Sequence, residues 1–440
     1  MTGAKYVEHA SEMHLFSEER SRVQSSKYKI VKPISLLNNK SLLHLSVFAL
    51  VLVPSHSFLP SKTVPFHTTT NIFQKTSCTE SILQAKKLGL LTFDLDDTLY
   101  PIAPVVDEAN SAFARAMNKY GYFDILPSDI VEMGKQVRRE NPEFAVTMTH
   151  TEVRRMAIRR KMEDFVYQNN LREVARDWGT DVSSLTSTIV VNARRWAETS
   201  VSESVVQAVL DAWEMERHHA SERHLYPELI DVFQQIKEDH PDVIIGAVTD
   251  GKANPLLMTF TLAQFFDFCQ SWEDDQSGRS KFFKDLDSVE GNADLNWIYD
   301  AAYDRYLDLC EAREANQMIT YADDDDEIVW IHVGDDLAYD VSGSASCGAK
   351  TIYCELDEQR YGQTARQRFD NLSSESQPSW STNTLKELQN RKRMNTKARN
   401  SVTKTLRYLS LLPDALNDIL DEEEEAEIMM SAQRSVGVDA

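Results

Sequence analysis

Asp94, Asp96 and Asp97 stand within four positions of one another in LTFDLDDTLYP (residues 91–101), directly after a run of apolar side chains. Like charges repel, and ionised groups at a core boundary cost free energy unless something compensates them. The same pattern recurs downstream. VTDG follows an apolar run and offers Thr249, and VGDDLAYD follows another and offers Asp335, Asp336 and, one helical turn on, Asp340. If these three run ends are neighbours, at least three carboxylates converge. A hard divalent cation is the natural compensation. Mg²⁺ prefers oxygen ligands, keeps several waters and commonly bridges to phosphate.

The elements that must position these residues are strands of a parallel sheet. Residues 88–95, 242–251, 327–336 and 351–356 are short apolar runs ending in polar residues, as buried parallel strands do. Around the later runs lie segments of helical pattern at 226–240, 254–268, 297–315 and 341–350. Strands alternating with helices predict an α/β, Rossmann-like, doubly wound parallel sheet with its site at the strand C-termini. Residues 105–225 interrupt that alternation with helical pattern alone, for example Val105, Val106, Ala109, Phe113 and Met117. They read as an inserted second, helical domain. The sheet-bearing core is then expected at 88–104 and 226–376.

The two ends read differently. SLLHLSVFALVLV (41–53) is a short apolar run preceded by Lys27, Lys29, Lys32 and Lys40, and FLPSKTVPFHTTTNIFQKTS follows it, rich in hydroxyl residues and poor in acids. A basic flank, an apolar core and small polar residues at Pro54-Ser55-His56-Ser57 fit a signal peptide. The junction SHSFLP resembles the cleavage motif of bipartite plastid presequences in algae with secondary plastids. Residues 1–87 are therefore expected to be a presequence without a fold of its own, directing the chain to a plastid. The secretory pathway, the cytoplasm, a membrane anchor and a misassigned start are the alternatives. Residues 377–440 are read as a polar and acidic tail, with RKRMNTKAR and later DEEEEAE, and 321–327 as an acidic loop.

Composition bounds the partners. The net charge of −22, from 47 basic and 69 acidic residues, argues against nucleic acid. A phosphorylated small molecule needs local compensation from a metal or a few aimed cations. The five cysteines, Cys78, Cys269, Cys310, Cys347 and Cys354, form no CxxC pair, so a zinc site or disulfide framework is not expected. No stable membrane association is expected of the mature form, and composition leaves the oligomeric state open.

FDLDDTLYP resembles the first motif of the haloacid dehalogenase (HAD) superfamily hydrolases, VTDG the second and VGDDLAYD the fourth. The third is a lysine. SGRSKFFKD supplies Lys281, in a context similar to bacterial phosphatases of FMN and of ribitylaminopyrimidine phosphates. Phe282 stands where that family usually carries proline, and Lys284 is a rival for the role. The resemblance spans roughly residues 90–355, motif by motif in order. It implies a C1-type cap after the first strand and a Mg²⁺-dependent phosphatase. Asp94 would be the nucleophile and Asp96 the general acid and base. Thr249 and Lys281 would bind the phosphoryl group. Asp94, the main-chain carbonyl of Asp96, and Asp335 would hold the metal. Asp336 and Asp340 are placed behind these ligands, and Asp97 in a local turn contact. Dehalogenases of the superfamily lack an acid at the Asp96 position, so Asp96 points to a phosphatase or phosphomutase.

The expected substrate is a small phosphorylated metabolite, because a cap of this size excludes bulky ones. FMN or 5-amino-6-(5-phosphoribitylamino)uracil leads, which would suit riboflavin synthesis in a plastid. Phosphoglycolate or a sugar phosphate is the alternative, and a non-catalytic binding protein is the alternative of another class. In the cap, Arg154, Arg155, Arg159 and Arg160 read as a solvated face, and His218, His219 and His224 as surface residues.

Overall fold

The structure is a computed structural model and describes residues 86–141, 148–273, 296–317, 328–362 and 385–436. Six strands form one all-parallel sheet in the order β3-β2-β1-β4-β5-β6. They are β1 (Lys87–Phe93), β2 (Ile244–Thr249), β3 (Phe268–Ser271), β4 (Ile328–Gly334), β5 (Lys350–Cys354) and β6 (Lys404–Leu406). This is the doubly wound order in which the sequence of strands reverses between β1 and β4, the place where such sheets leave a crevice for ligands. Phe93 pairs with Val333, and the Asp94 N–H donates to the Val333 carbonyl at 2.9 Å. The first and fourth motifs therefore begin side by side.

Among the described residues, the inserted block after β1 holds five α-helices: α1 (Ile102–Lys119), α2 (Pro127–Glu140), α3 (His150–Asp177), α4 (Ser187–Ser200) and α5 (Glu203–Arg223). Phe113, Met117, Ile158, Met162, Val209 and Trp213 belong to a hydrophobic cluster of this block alone. The block is thus a capping layer with its own core. One face of the sheet packs Phe93, Ile245 and Val333 against α6 (Leu229–Asp239), through Phe233 and Ile236. The other packs Leu90, Ile244 and Trp330 against α7 (Asn296–Gln317), through Ile298, Tyr299 and Tyr306. Runs buried on both faces explain why these strands read as continuous apolar stretches.

Two sequence expectations need correction. Residues 254–268 do not form a helix; single 3₁₀ turns at Pro255–Leu257 and Leu262–Gln264 lead into β3. The tertiary reason is Gly246, where a Cβ would stand 2.2 Å from the Phe268 ring. Its absence lets the Phe268 ring pack against β2, where Gly246 is its register partner, and that cross-strand packing overrides local helical pattern.

The second correction concerns the tail expected at 377–440. After α8 (Ser342–Ser346), β5 and α9 (Glu358–Tyr361), the chain forms α10 (Leu385–Ala398), then β6, then α11 (Leu412–Val436). Leu406, Leu409, Leu412, Leu416 and Ile419 join the main core. Part of the acidic run is paired as well, with Glu423 meeting Lys86 and Lys350. Residues 1–85, the acidic loop at 321–327, Lys281 and Lys284 lie outside the described residues; Lys86 and Lys87, the end of the expected presequence, are described, and Lys87 begins β1. Among the described residues, no helix is long and apolar enough to cross a membrane.

Candidate active site

Asp94 follows β1 directly and is 8% exposed. The chain then turns sharply: Asp97 takes a left-handed backbone (φ 61°), its N–H donates to the Tyr100 carbonyl at 2.8 Å, and its Oδ1 accepts from the Ile102 N–H at 3.0 Å. Asp97 is therefore spent on the turn and on the start of α1, as its position in the sequence suggests. A non-glycine residue at positive φ is uncommon, and such backbone clusters at functional sites. Because the strand has ended, Asp96 no longer obeys strand alternation. Its Oδ2 accepts from Arg217 Nη2 at 2.6 Å.

The fourth motif supplies the other acids. Asp335 follows β4, and residues Leu337–Val341 form one π-helical turn that carries Asp340 back over the strand end. The fit requires Gly334, where a Cβ would lie 2.3 Å from Asp340 Oδ2. Asp340 Oδ2 accepts from the Asp336 N–H at 2.8 Å, and Tyr299 donates to its Oδ1 at 3.3 Å. Asp336 turns away to cap the turn, accepting from the N–H groups of Ala338 and Tyr339.

One ligand atom each from Asp94, Asp335 and Asp340 lies within 4.8 Å of the other two, and all three residues are buried. Asp340 thus faces the cluster instead of standing behind it, whereas Asp336 serves the fold. Burial raises the Asp94 pKa well above the usual carboxylate value, and Asp340, Asp335 and Asp96 raise it further. Burial also raises that of Asp340, against an opposing pull from His332. Three buried carboxylates, all oxygen donors, with Asp94 and Asp340 shifted toward the neutral form, suit a hard divalent cation. The residues present therefore fit Mg²⁺.

Thr249 ends β2 and is 1% exposed, and its Oγ1 accepts from the Gly251 N–H at 3.2 Å. A Cβ at Gly251 would lie 3.4 Å from Asp96 Oδ2, 3.5 Å from Arg217 Nη2 and 3.6 Å from Thr249 Oγ1. Asp96, Thr249 and Arg217 therefore border one small space floored by Gly251.

The cap contributes more than a lid. Thr149 and Glu152 form a capping box that starts α3 and sets His150 and Arg154 in its first two turns. Trp213 and Arg217 lie four apart on α5 and share a face. The Arg154 guanidinium lies 3.6 Å from the Trp213 ring centroid, and Trp213 Nε1 donates to Asn110 Oδ1 at 2.9 Å. Arg154 is not part of a solvated face, and His218 is not on the surface. His218 is 5% exposed, with Nδ1 against the Glu214 carbonyl and Nε2 accepting from the Asn254 N–H. Nothing in local spacing marks Arg217, which single-sequence patterning misses; it stands 121 residues from its partner Asp96.

No family model and no curated protein matches the chain. Similar solved structures include a 2-haloacid dehalogenase from Pseudomonas syringae pv. Tomato DC3000, with 18% identity over 75% of this chain and 99% of that one and a TM-score of 0.42. A HAD-hydrolase from Bacillus subtilis bound to magnesium has 15% identity over 61% and 87%, with a TM-score of 0.27. A protein named as a phosphoglycolate phosphatase from Lactobacillus delbrueckii subsp. bulgaricus has 12% identity over 76% and 98%, with a TM-score of 0.27. The fold defined by the sheet order and the helical block after β1 is the one expected of HAD-type hydrolases.

Proposed function

We propose that this protein is a Mg²⁺-dependent phosphatase of small phosphorylated metabolites. The observation that carries the reading is the convergence of Asp94 with Asp335 and Asp340 at the reversal point of the sheet, while the Asp96 carboxylate stands apart beside Thr249. Two carboxylates of one motif are thereby given different surroundings and different roles.

An Asp94 oxygen attacks phosphorus, the bond from phosphorus to the ester oxygen breaks, and Asp96 gives its proton to the departing alcohol. Water then attacks phosphorus of the aspartyl phosphate, Asp96 takes the proton, and inorganic phosphate and free Asp94 result. Thr249 donates to a phosphoryl oxygen. Lys281, carried over from the motif resemblance, is assigned the same task. Asp94, Asp335 and Asp340 would hold Mg²⁺, with the Asp96 main-chain carbonyl as the further ligand that the resemblance implies. Mg²⁺ held by these residues would supply charge compensation, which with positioning is most of the catalysis in phosphoryl transfer. Asp96 distinguishes this site from a dehalogenase, which needs no proton donor for a halide.

FMN, 5-amino-6-(5-phosphoribitylamino)uracil, phosphoglycolate and sugar phosphates are the substrates to compare first. Purified protein should hydrolyse at least one small phosphomonoester with Mg²⁺ present and lose that activity in EDTA. Activity undiminished by EDTA would sink the reading. Metal binding without turnover of any phosphoester would favour the non-catalytic alternative.

A further inference from the structure

β1 and β4 are apolar through their middles except for one polar side chain each, Thr92 and His332. The two are register partners and stand side by side, and the His332 ring meets the Tyr299 ring of α7 edge-on, with centroids 5.1 Å apart. Thr92 is fully buried and His332 is 1% exposed. Polar groups at such a depth cost free energy unless hydrogen bonds satisfy them. We infer that His332 is a positioning residue for the metal cluster: its ring N–H, fixed on Nε2 by Trp330 and Thr92, is aimed at Asp340 Oδ1 and holds that carboxylate for Mg²⁺. The inference rests on the phosphatase reading for the metal, and it adds the group that keeps one of the ligands in place.

The direction of the hydrogen bonds follows from what each group can do. An indole N–H can only donate. Trp330 Nε1 donates to Thr92 Oγ1 at 2.9 Å, and the same oxygen lies 2.9 Å from His332 Nδ1. If Nδ1 donated as well, Thr92 Oγ1 would receive two N–H groups, and its own hydrogen would be left without a hydrogen bond among the described residues. The Thr92 hydroxyl therefore donates to Nδ1, which makes Nε2 the ring nitrogen that carries hydrogen. Nε2 is buried with no hydrogen-bond partner among the described residues, and it faces Asp340 Oδ1 at 3.9 Å. A hydrogen bond needs about 2.7–3.2 Å, so a small rotation of either side chain closes the gap. An unpartnered N–H at this depth favours that closure. Asp340 has room for such a donor. Its Oδ2 accepts from the Asp336 N–H at 2.8 Å, whereas Oδ1 has only the Tyr299 hydroxyl, at 3.3 Å. That is long for an O–H donor. His332 Nε2–H supplies the second restraint on Oδ1, and carboxylates that ligate metals are commonly oriented by such partners. The chain from Trp330 through Thr92 and His332 thus runs from the interior of the sheet to a metal ligand, and each link fixes the next.

The test uses the full chain, freed of metal and titrated calorimetrically with Mg²⁺. His332→Leu removes the donor and should weaken Mg²⁺ binding about 10- to 100-fold, the usual scale for a group that orients a metal ligand. His332→Gln, which sets an amide N–H near the place of Nε2, should recover most of that loss. Unchanged Mg²⁺ affinity in His332→Leu, or an equal loss in His332→Gln, overturns the assignment and leaves the network as packing alone. NMR of the wild type carrying ¹⁵N-labelled histidine gives a reading that depends on no variant. The His332 ring, assigned through its contact with the Tyr299 ring, should carry its hydrogen on Nε2; hydrogen on Nδ1 overturns the inference. Hydrolysis of the phosphomonoesters named above is measured in parallel. Mg²⁺-dependent turnover, with His332→Leu binding Mg²⁺ as tightly as wild type, rejects the positioning role and keeps the phosphatase. Mg²⁺ binding that depends on His332, without turnover of any phosphoester, keeps the positioning role and rejects the phosphatase. No Mg²⁺ binding by wild type rejects both.

Discussion

Asp94 and Asp96 are two positions apart, yet their surroundings separate them: one faces Asp335 and Asp340, the other is gripped by Arg217. Asp94→Asn should abolish turnover, because an amide is a poor nucleophile and cannot form the acyl phosphate. Asp96→Asn should cost about two to four orders of magnitude on an alkyl phosphate, the usual scale for general acid–base help. An activated aryl phosphate needs little protonation of its leaving group, so its first step should suffer much less. Acid quench should then trap label on Asp94 after a burst of aryl alcohol; equal losses on both substrates with no trapped label would remove Asp96 from the proton path. Asp340→Asn tests the assignment that the geometry added. Losing one carboxylate from the cluster should raise the Mg²⁺ concentration for half-maximal activity by about 10- to 100-fold or more. An unchanged Mg²⁺ requirement would return Asp340 to a supporting role. The raised pKa values of Asp94 and Asp340 also set a pH dependence. Without metal, both carboxyls keep a proton in the fold at pH values where the unfolded chain has released it. The folded state then binds more protons, so stability falls as pH rises from the ordinary carboxylate value of 3.8 through the raised native values. Mg²⁺ competes with those protons, so its increment in Tm should be larger at about pH 8 than at about pH 5. Equal increments at both, read by scanning calorimetry, would contradict the cluster as the metal site.

At the scale of elements, the C-terminal segment shows how partnership decides what a sequence becomes. By composition it is polar and acidic, yet β6 extends the sheet through pairs such as Cys354 with Leu406. Leu409, Leu412 and Leu416 are fully buried. Leu412→Ala should therefore cost about 2–5 kcal/mol in chemical denaturation, as large-to-small changes in a packed core do. Glu425→Gln, an exposed change in the acidic run, should stay within about 0.5 kcal/mol. Similar small effects for both would mean that the segment is a tail after all. The helical block illustrates the same point from the other side. α1 and α5 flank it, leaving and re-entering the core, and each carries a piece of the site: Asp97 starts α1, and α5 brings Arg217 to Asp96.

For the whole molecule, acidity and architecture combine. On the phosphatase reading, a strongly negative chain must concentrate the compensation for an anionic substrate locally, at the Asp94, Asp335 and Asp340 cluster that would hold a metal. The N-terminal expectation also belongs to this scale. Residues 1–87 fused to a reporter should carry it into the plastid, and Phe58→Ala should stall it before the stroma; a cytosolic reporter would refute the presequence.

The sequence by itself determined the class of fold and the motif residues. Short apolar runs ending in Asp94, Thr249 and Asp335 are set by burial on both faces of a parallel sheet, and burial is a local signature. The helical block was legible for the same reason, since its apolar spacing repeats within single helices. Tertiary structure decided what depends on partners far along the chain. β3 exists because Phe268 finds space over Gly246, and β6 because β5 offers an open edge. Asp340 enters the cluster only because a π turn folds it over Gly334. Arg154 and His218 looked like surface residues, and Arg217 went unmarked, because helical spacing reports which side chains share a face, not which face another element covers. That covering is a matter of how the cap meets the strand ends, and it is what brings Arg217 to within 2.6 Å of Asp96.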